Sequence, residues 1–410
     1  MNIFGTNTIT SLTLPKVKFL MIGIASLLLW ACNPDSEVVN IDDDSDDIMN
    51  DDPVNQVDTR SITEVFGESL SLESPLNYAD QSIPNYINED NTTRGNQIEN
   101  EIATLGRVLF YDKNLSSDNS TSCASCHKQT LAFGDDAVLS QGVNGVTGRH
   151  SMRLVNARFS EEERFFWDER ANSLETQTTM PIQDHIEMGF SGNEGDDDIN
   201  GLIAKMEGID YLVNLFEYAY GTNEISEERM QLALAQFVRS IQSFDSKYDV
   251  GLAQAGDEDD DFDNFSVLEN MGKDLFMGRA GCERCHNAPE FSINDNSRNN
   301  GVITVAGDPD AVDTEVTRSP TLRDIFNPGG TLNGPMMHDG GFATFEEVLN
   351  HYSTVGPTPE NNNLDDRLEG RRGGNRNLDN QDITAIIAFV QTLTGTEVYT
   401  DERWSDPFLP

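Results

Sequence analysis

A five-residue pattern occurs twice in this chain: Cys123-Ala124-Ser125-Cys126-His127 and Cys282-Glu283-Arg284-Cys285-His286. Cys-x-x-Cys-His is the attachment motif of c-type haem. Two thiols add to the two vinyl groups of the porphyrin, and the adjacent imidazole is held under the iron as its proximal ligand. The covalent links keep the group in place even where little core surrounds it, so long loops are expected. Two other chemistries use paired cysteines. A zinc site wants four Cys or His ligands at paired short spacings, and a redox dithiol wants a βαβ setting. Neither setting surrounds these motifs. The sequence therefore predicts two covalently attached haem c groups, one on Cys123, Cys126 and His127, the other on Cys282, Cys285 and His286.

The chain has five cysteines, and two haems take four. The fifth, Cys32, closes a distinct segment. Lys16 and Lys18 precede an apolar run from Phe19 to Ala31, the layout of an export signal and short for a membrane span. The run ends Leu29-Trp30-Ala31-Cys32, which resembles a bacterial lipobox. Residues 1–32 are thus expected to be a lipoprotein signal peptide, with Cys32 lipidated and the protein held at a membrane of the cell envelope or periplasm. Residues 33–60 are acidic and poor in large apolar groups, with Asp42, Asp43, Asp44, Asp46 and Asp47 in one run. Such a segment repels itself and has little to bury, so it is expected to be a disordered tether.

The remainder is expected to be all-α: two cytochrome c-like haem domains with long loops, residues 61–256 and 257–410. Ile98, Ile102, Leu105 and Leu109 share a helical face before the first motif. Ser226 is placed to cap a second long helix with the stripe Met230, Leu234, Phe237, Ile241 and Phe244. The acidic run Asp257–Asp261 reads as a surface loop and boundary. Ser266 with Glu269 forms a capping box, followed by Leu268, Met271 and Leu275 on one face. Thr344 with Glu347 forms another. The last helix carries Ile383, Ile386, Ile387, Val390 and Leu393. The chain has 27 Lys and Arg against 71 Asp and Glu, a net charge of -44, so nucleic-acid phosphate is repelled and that class of partner is excluded.

Several short stretches then occur in a telling order. They are Leu105-Gly106-Arg107-x-Leu109-Phe110, Phe166-Trp167-Asp168-Glu169-Arg170-Ala171, Ile186-Glu187-Met188-Gly189, Ser319-Pro320-Thr321-Leu322-Arg323 and Met337-His338-Asp339-Gly340. As an ordered set over roughly residues 100–400 they resemble the bacterial di-haem cytochrome c peroxidase family, which includes the MauG-type maturation enzymes. The resemblance implies that the haem on His127 meets hydrogen peroxide, and that the haem on His286 relays electrons from a small cytochrome c or cupredoxin. It implies Glu187 as the catalytic acid–base, Gln177 as a hydrogen-bonding neighbour, and Trp167 as the bridge between the haems. It implies Met337 as second axial ligand to the iron on His286. A tyrosine at that place marks the MauG branch, so Met337 favours a peroxidase over the alternatives of a MauG-like oxidase or a plain electron carrier. Family members often pair, which makes a homodimer a candidate assembly. Two features depart from the pattern. The family's blocking histidine is missing between His127 and His150. The inter-domain calcium site, implied near His150, Arg318 and Pro320, has His150 where the family has asparagine, although calcium prefers oxygen; His150 is alternatively an iron ligand.

Overall fold

The computed structural model describes residues 60–160, 164–369 and 376–409. The export signal, Cys32 and the tether up to residue 59 lie outside the described residues. Eleven helices are found among those described: α1 (Arg60–Phe66), α2 (Asn100–Tyr111), α3 (Cys123–Cys126), α4 (Leu174–Thr179), α5 (Ile199–Met206), α6 (Asp210–Tyr220), α7 (Glu227–Ser240), α8 (Lys247–Ala255), α9 (Val267–Met277), α10 (Phe345–Thr354) and α11 (Asn380–Gln391). Two short antiparallel hairpins interrupt them, β1 (Gln141–Gly142) with β2 (Gly145–Val146), and β3 (Thr304–Val305) with β4 (Asp308–Val312). The protein is mostly helical, as the stripes predict.

The helix starts follow local chemistry. The Ser226 hydroxyl accepts from the Arg229 N–H at the head of α7. Ser266 with Glu269, and Thr344 with Glu347, form complete capping boxes on α9 and α10. Each box satisfies backbone donors that the first helical turn leaves free.

The buried apolar side chains form two clusters. The first gathers residues from Ile62 to Ile241 and takes back Val398 and Trp404 from the C-terminal tail. The second runs from Tyr248 to Leu393. Each is centred on one close helix crossing, α2 on α7 and α9 on α11. At the first, Gly106 faces Ala233, and a Cβ on Gly106 would overlap the Ala233 carbonyl oxygen and lie 2.9 Å from Phe237 Cβ. At the second, Gly272 faces Ala385 in the same manner, with Phe389 Cβ at 2.8 Å. A buried basic residue follows each glycine. The Arg107 guanidinium donates to the Ser405 carbonyl at 2.7 Å, and the Lys273 ammonium to the Glu258 and Asp260 carbonyls at 2.5 and 2.7 Å. Lys273 thereby ties down the acidic stretch 257–261.

Two stripes differ from expectation. Leu268 is 37% exposed, and the buried face of α9 is Gly272, Lys273, Leu275 and Phe276. Glycine carries no hydrophobic signal, so the true contact face is invisible to periodicity. The α7 helix also stops at Ser240, because Ile241 is extended and its carbonyl accepts from the Asn156 N–H. Phe244 therefore lies beyond the helix. Overfilling a packed crossing costs about 1–3 kcal/mol. Gly272→Ala is accordingly expected to lower the thermal unfolding midpoint of the holoprotein while leaving haem content unchanged, as calorimetry and a haem stain would read.

Candidate functional site

The two Cys-x-x-Cys-His motifs share one local design. His127 Nδ1 lies 3.2 Å from the Phe133 carbonyl oxygen. His286 Nδ1 lies 3.1 Å from both the Phe291 and Pro320 carbonyl oxygens. A ring nitrogen facing carbonyls carries the proton, so the Nε2 lone pair of each histidine is free for a metal. Burial pushes the His127 pKa down and the His286 pKa down to about 4, which keeps both rings neutral, the ligating form. Burial also pushes the Cys123 thiol up to about 12 and the Cys282 thiol up to about 11. A redox dithiol depends on a lowered thiol pKa, so the geometry favours haem attachment over dithiol chemistry.

Two adjoining cavities of about 740 and 670 Å³ have His286 and Asn300 in both walls. The first takes in Cys282 and Cys285. The second brings together Trp167, Met337, His150, Arg318 and Pro320, five residues singled out in the sequence. The residues present fit a haem on His286. Met337 sits in a left-handed turn, φ 70°, closed by the Gly340 N–H on the Met337 carbonyl.

Trp167 is fixed by both its polar ends. Its indole N–H donates to the His150 carbonyl at 2.7 Å, and its own carbonyl accepts from the Arg318 N–H at 2.7 Å. Its ring lies 6.2 Å from that of His338. His338 is buried with neither ring nitrogen hydrogen-bonded among the described residues, and its Nε2 lies 3.5 Å from the Asp313 carboxylate; the motif around Met337 carried no role for it. The His150 ring is turned to the Ala137 and Val138 carbonyls, at 2.9 and 3.2 Å from Nδ1.

Glu187 is positioned by its own loop and by the β1–β2 hairpin. Asp184 Oδ1 accepts from the Ile186 and Glu187 N–H groups at 2.8 and 3.0 Å. Val143 and Asn144 N–H donate to the Glu187 and Ile186 carbonyls. Gly142 permits that approach, since a Cβ there would strike the Ile186 carbonyl. Burial, reinforced by Asp184 and opposed by Arg170, pushes the Glu187 carboxyl up to about 7. Its charge is felt at both Cys123 and Cys126, which puts it within electrostatic reach of the first haem motif. Gln177 lies on α4, and no hydrogen bond among the described residues joins it to Glu187.

A profile of the di-haem cytochrome c peroxidase family matches residues 100–257. The methylamine utilization protein MauG of Methylorubrum extorquens is 30% identical over 270 residues, 63% of this chain and 70% of that protein. The cytochrome c551 peroxidase of Nitrosomonas europaea is 28% identical over 309 residues, 72% of this chain and 81% of that one. A solved MauG-like protein associated with microbial copper homeostasis has a TM-score of 0.65 at 28% identity, covering 80% of this chain and 99% of that one. With two attachment motifs and relatives aligned along most of its length, the chain belongs to the di-haem cytochrome c peroxidase family and carries the two c-type haems that family implies.

Proposed function

We propose that this protein reduces hydrogen peroxide to two waters, using two electrons delivered singly by a small c-type cytochrome or a cupredoxin. The observation that carries this is Glu187: a carboxyl with a pKa of about 7, within electrostatic reach of Cys123 and Cys126 in the first haem motif. In this reading His127, in residues 61–256, would hold the haem that supplies the metal for peroxide, and His286, in 257–410, would hold the haem that supplies electron relay. Glu187 takes the proton from the inner peroxide oxygen and returns it to the outer one, which leaves as water. A pKa near the working pH suits both halves of that transfer. Gln177 orients peroxide or water beside it. Trp167 bridges the two haems, and its two hydrogen bonds support a fixed position for that role. Met337 would help His286 hold its haem iron, where a thioether ligand would raise the potential.

A steady-state assay of the holoprotein with peroxide and a reduced small cytochrome tests this. Donor oxidation in step with peroxide loss is expected; haem reduction by the donor with no peroxide consumed would leave only an electron carrier.

Calcium is left out of this reading. The His150 ring bonds to two carbonyls, the His150 carbonyl accepts the Trp167 indole, and the Pro320 carbonyl accepts from His286. Calcium wants six to eight oxygens, and these residues do not supply a cage.

The lack of any histidine between His127 and His150 supports an open iron at His127. Paramagnetic resonance of the untreated oxidised holoprotein is expected to show one high-spin and one low-spin ferric signal, and peroxide to react without prior reduction. Two low-spin signals and a lag removed by reductant would refute an open site.

The protein is placed in the cell envelope, tethered by a lipid on Cys32, with a homodimer as candidate assembly. Among the described residues no helix is long and apolar enough to cross a membrane. Cys32→Ser is expected to move the protein from the membrane to the soluble fraction with haem content intact.

A further inference from the structure

Met337 has a polar neighbour that the mechanism above does not use. Asn300 Nδ2 lies 3.6 Å from the Met337 sulfur, within reach of an N–H···S hydrogen bond. The orientation of that amide is settled by its other end, because Asn300 Oδ1 accepts from the Val302 N–H at 3.0 Å. An oxygen facing a backbone donor leaves the NH₂ facing the sulfur.

Asn300 is itself clamped. It is 9% exposed, and its backbone carbonyl lies 3.0 Å from His351 Nε2. The preceding Asn299 is fully buried, accepts from the Gly301 and Asn361 N–H groups, and donates to the Asp313 and Glu315 carbonyls. The backbone that carries the donor is thereby fixed, and turning the amide away from the sulfur would break its bond to the Val302 N–H. Met337, meanwhile, is presented from a positive-φ turn, so both partners are held from behind.

A thioether sulfur has two lone pairs. One can bind a metal while the other accepts a hydrogen bond. Such a bond draws electron density from the sulfur and makes it a weaker donor. A weaker donor stabilises ferric iron less than before relative to ferrous iron, so the reduction potential rises. Partners of this kind around a ligand also fix its orientation.

We infer that Asn300 is a positioning residue for the second haem: its amide orients the Met337 thioether and raises the reduction potential of the iron that this sulfur ligates. The inference rests on Met337 being the axial ligand, as read above. It adds the reason why this haem, rather than the one on His127, is the point of electron entry.

The test is a potentiometric titration of the holoprotein, following each haem by its spectrum. Asn300→Leu removes the donor and keeps the bulk. One haem is expected to become harder to reduce, with about a tenfold change in its ferric/ferrous ratio at a fixed applied potential, about 59 mV for a one-electron couple. The other haem should stay unchanged, and the thioether absorption should persist. Asn300→Asp keeps the acceptor for Val302 and sets an oxygen against the sulfur, so the potential should fall further. This isosteric variant also serves if the leucine variant loses haem. Wild-type potentials in both variants, in a protein whose Met337→Ala form does shift one haem, would overturn the role of Asn300 while leaving the ligand intact. Unchanged potentials in Met337→Ala would overturn it one step earlier, at the ligand itself.

Discussion

Glu187→Gln lowers peroxide turnover by about 10²-fold or more, the scale at which general acid–base groups act. The amide keeps the size of the carboxyl and cannot take up a proton at the working pH. The loop should survive the change, because it is held by Asp184 and by backbone bonds from Val143 and Asn144, none of which uses the Glu187 side chain. Donor oxidation at the second haem should also survive. The pH dependence gives a second reading of the same residue. Burial holds the carboxyl near 7, so below that pH it is protonated and cannot accept from peroxide. The second-order rate constant for peroxide should fall about tenfold per pH unit on the acid side and level off above about 7. In Glu187→Gln that acid limb should vanish. A fully active variant with the wild-type profile would remove Glu187 from the mechanism.

Met337→Ala lowers the potential of one haem only, by a sizeable part of the ~0.8 V range that axial ligation governs. Electron entry then slows and turnover falls with it. The neighbouring Met336 makes a ready control. Its N–H pairs with the Phe342 carbonyl and its side chain belongs to the second apolar cluster, so Met336→Leu should change stability and leave both potentials in place. Equal effects of the two substitutions would mean that the thioether at 337 has no special role.

The legible parts of this molecule are those whose physics is local. Ser226, Ser266 with Glu269, and Thr344 with Glu347 cap helices as expected, because a cap needs only residues within one turn. The haem motifs are legible for the same reason, and the residues around them identified the family. What stayed hidden depends on distant partners. The contact face of α9 turns on Gly272 meeting Ala385, and the end of α7 on Asn156 meeting Ile241. The two hairpins are too short for alternation to register. Asn300 is one of many asparagines until the fold sets it beside a sulfur at residue 337.

The paired crossings of α2 on α7 and α9 on α11 bear on how such a chain can diversify. Gly106-Arg107-Val108-Leu109-Phe110 and Gly272-Lys273-Asp274-Leu275-Phe276 present the same sequence of shapes. Ala233 with Phe237, and Ala385 with Phe389, receive them alike. The frame is thus one socket built twice, and it does not distinguish one cofactor site from the other. The residues singled out for chemistry, Glu187, Gln177, Trp167, Asn300 and Met337, all lie outside these two crossings. A change at one of those positions can therefore alter a cofactor site without disturbing the helix crossing that carries it.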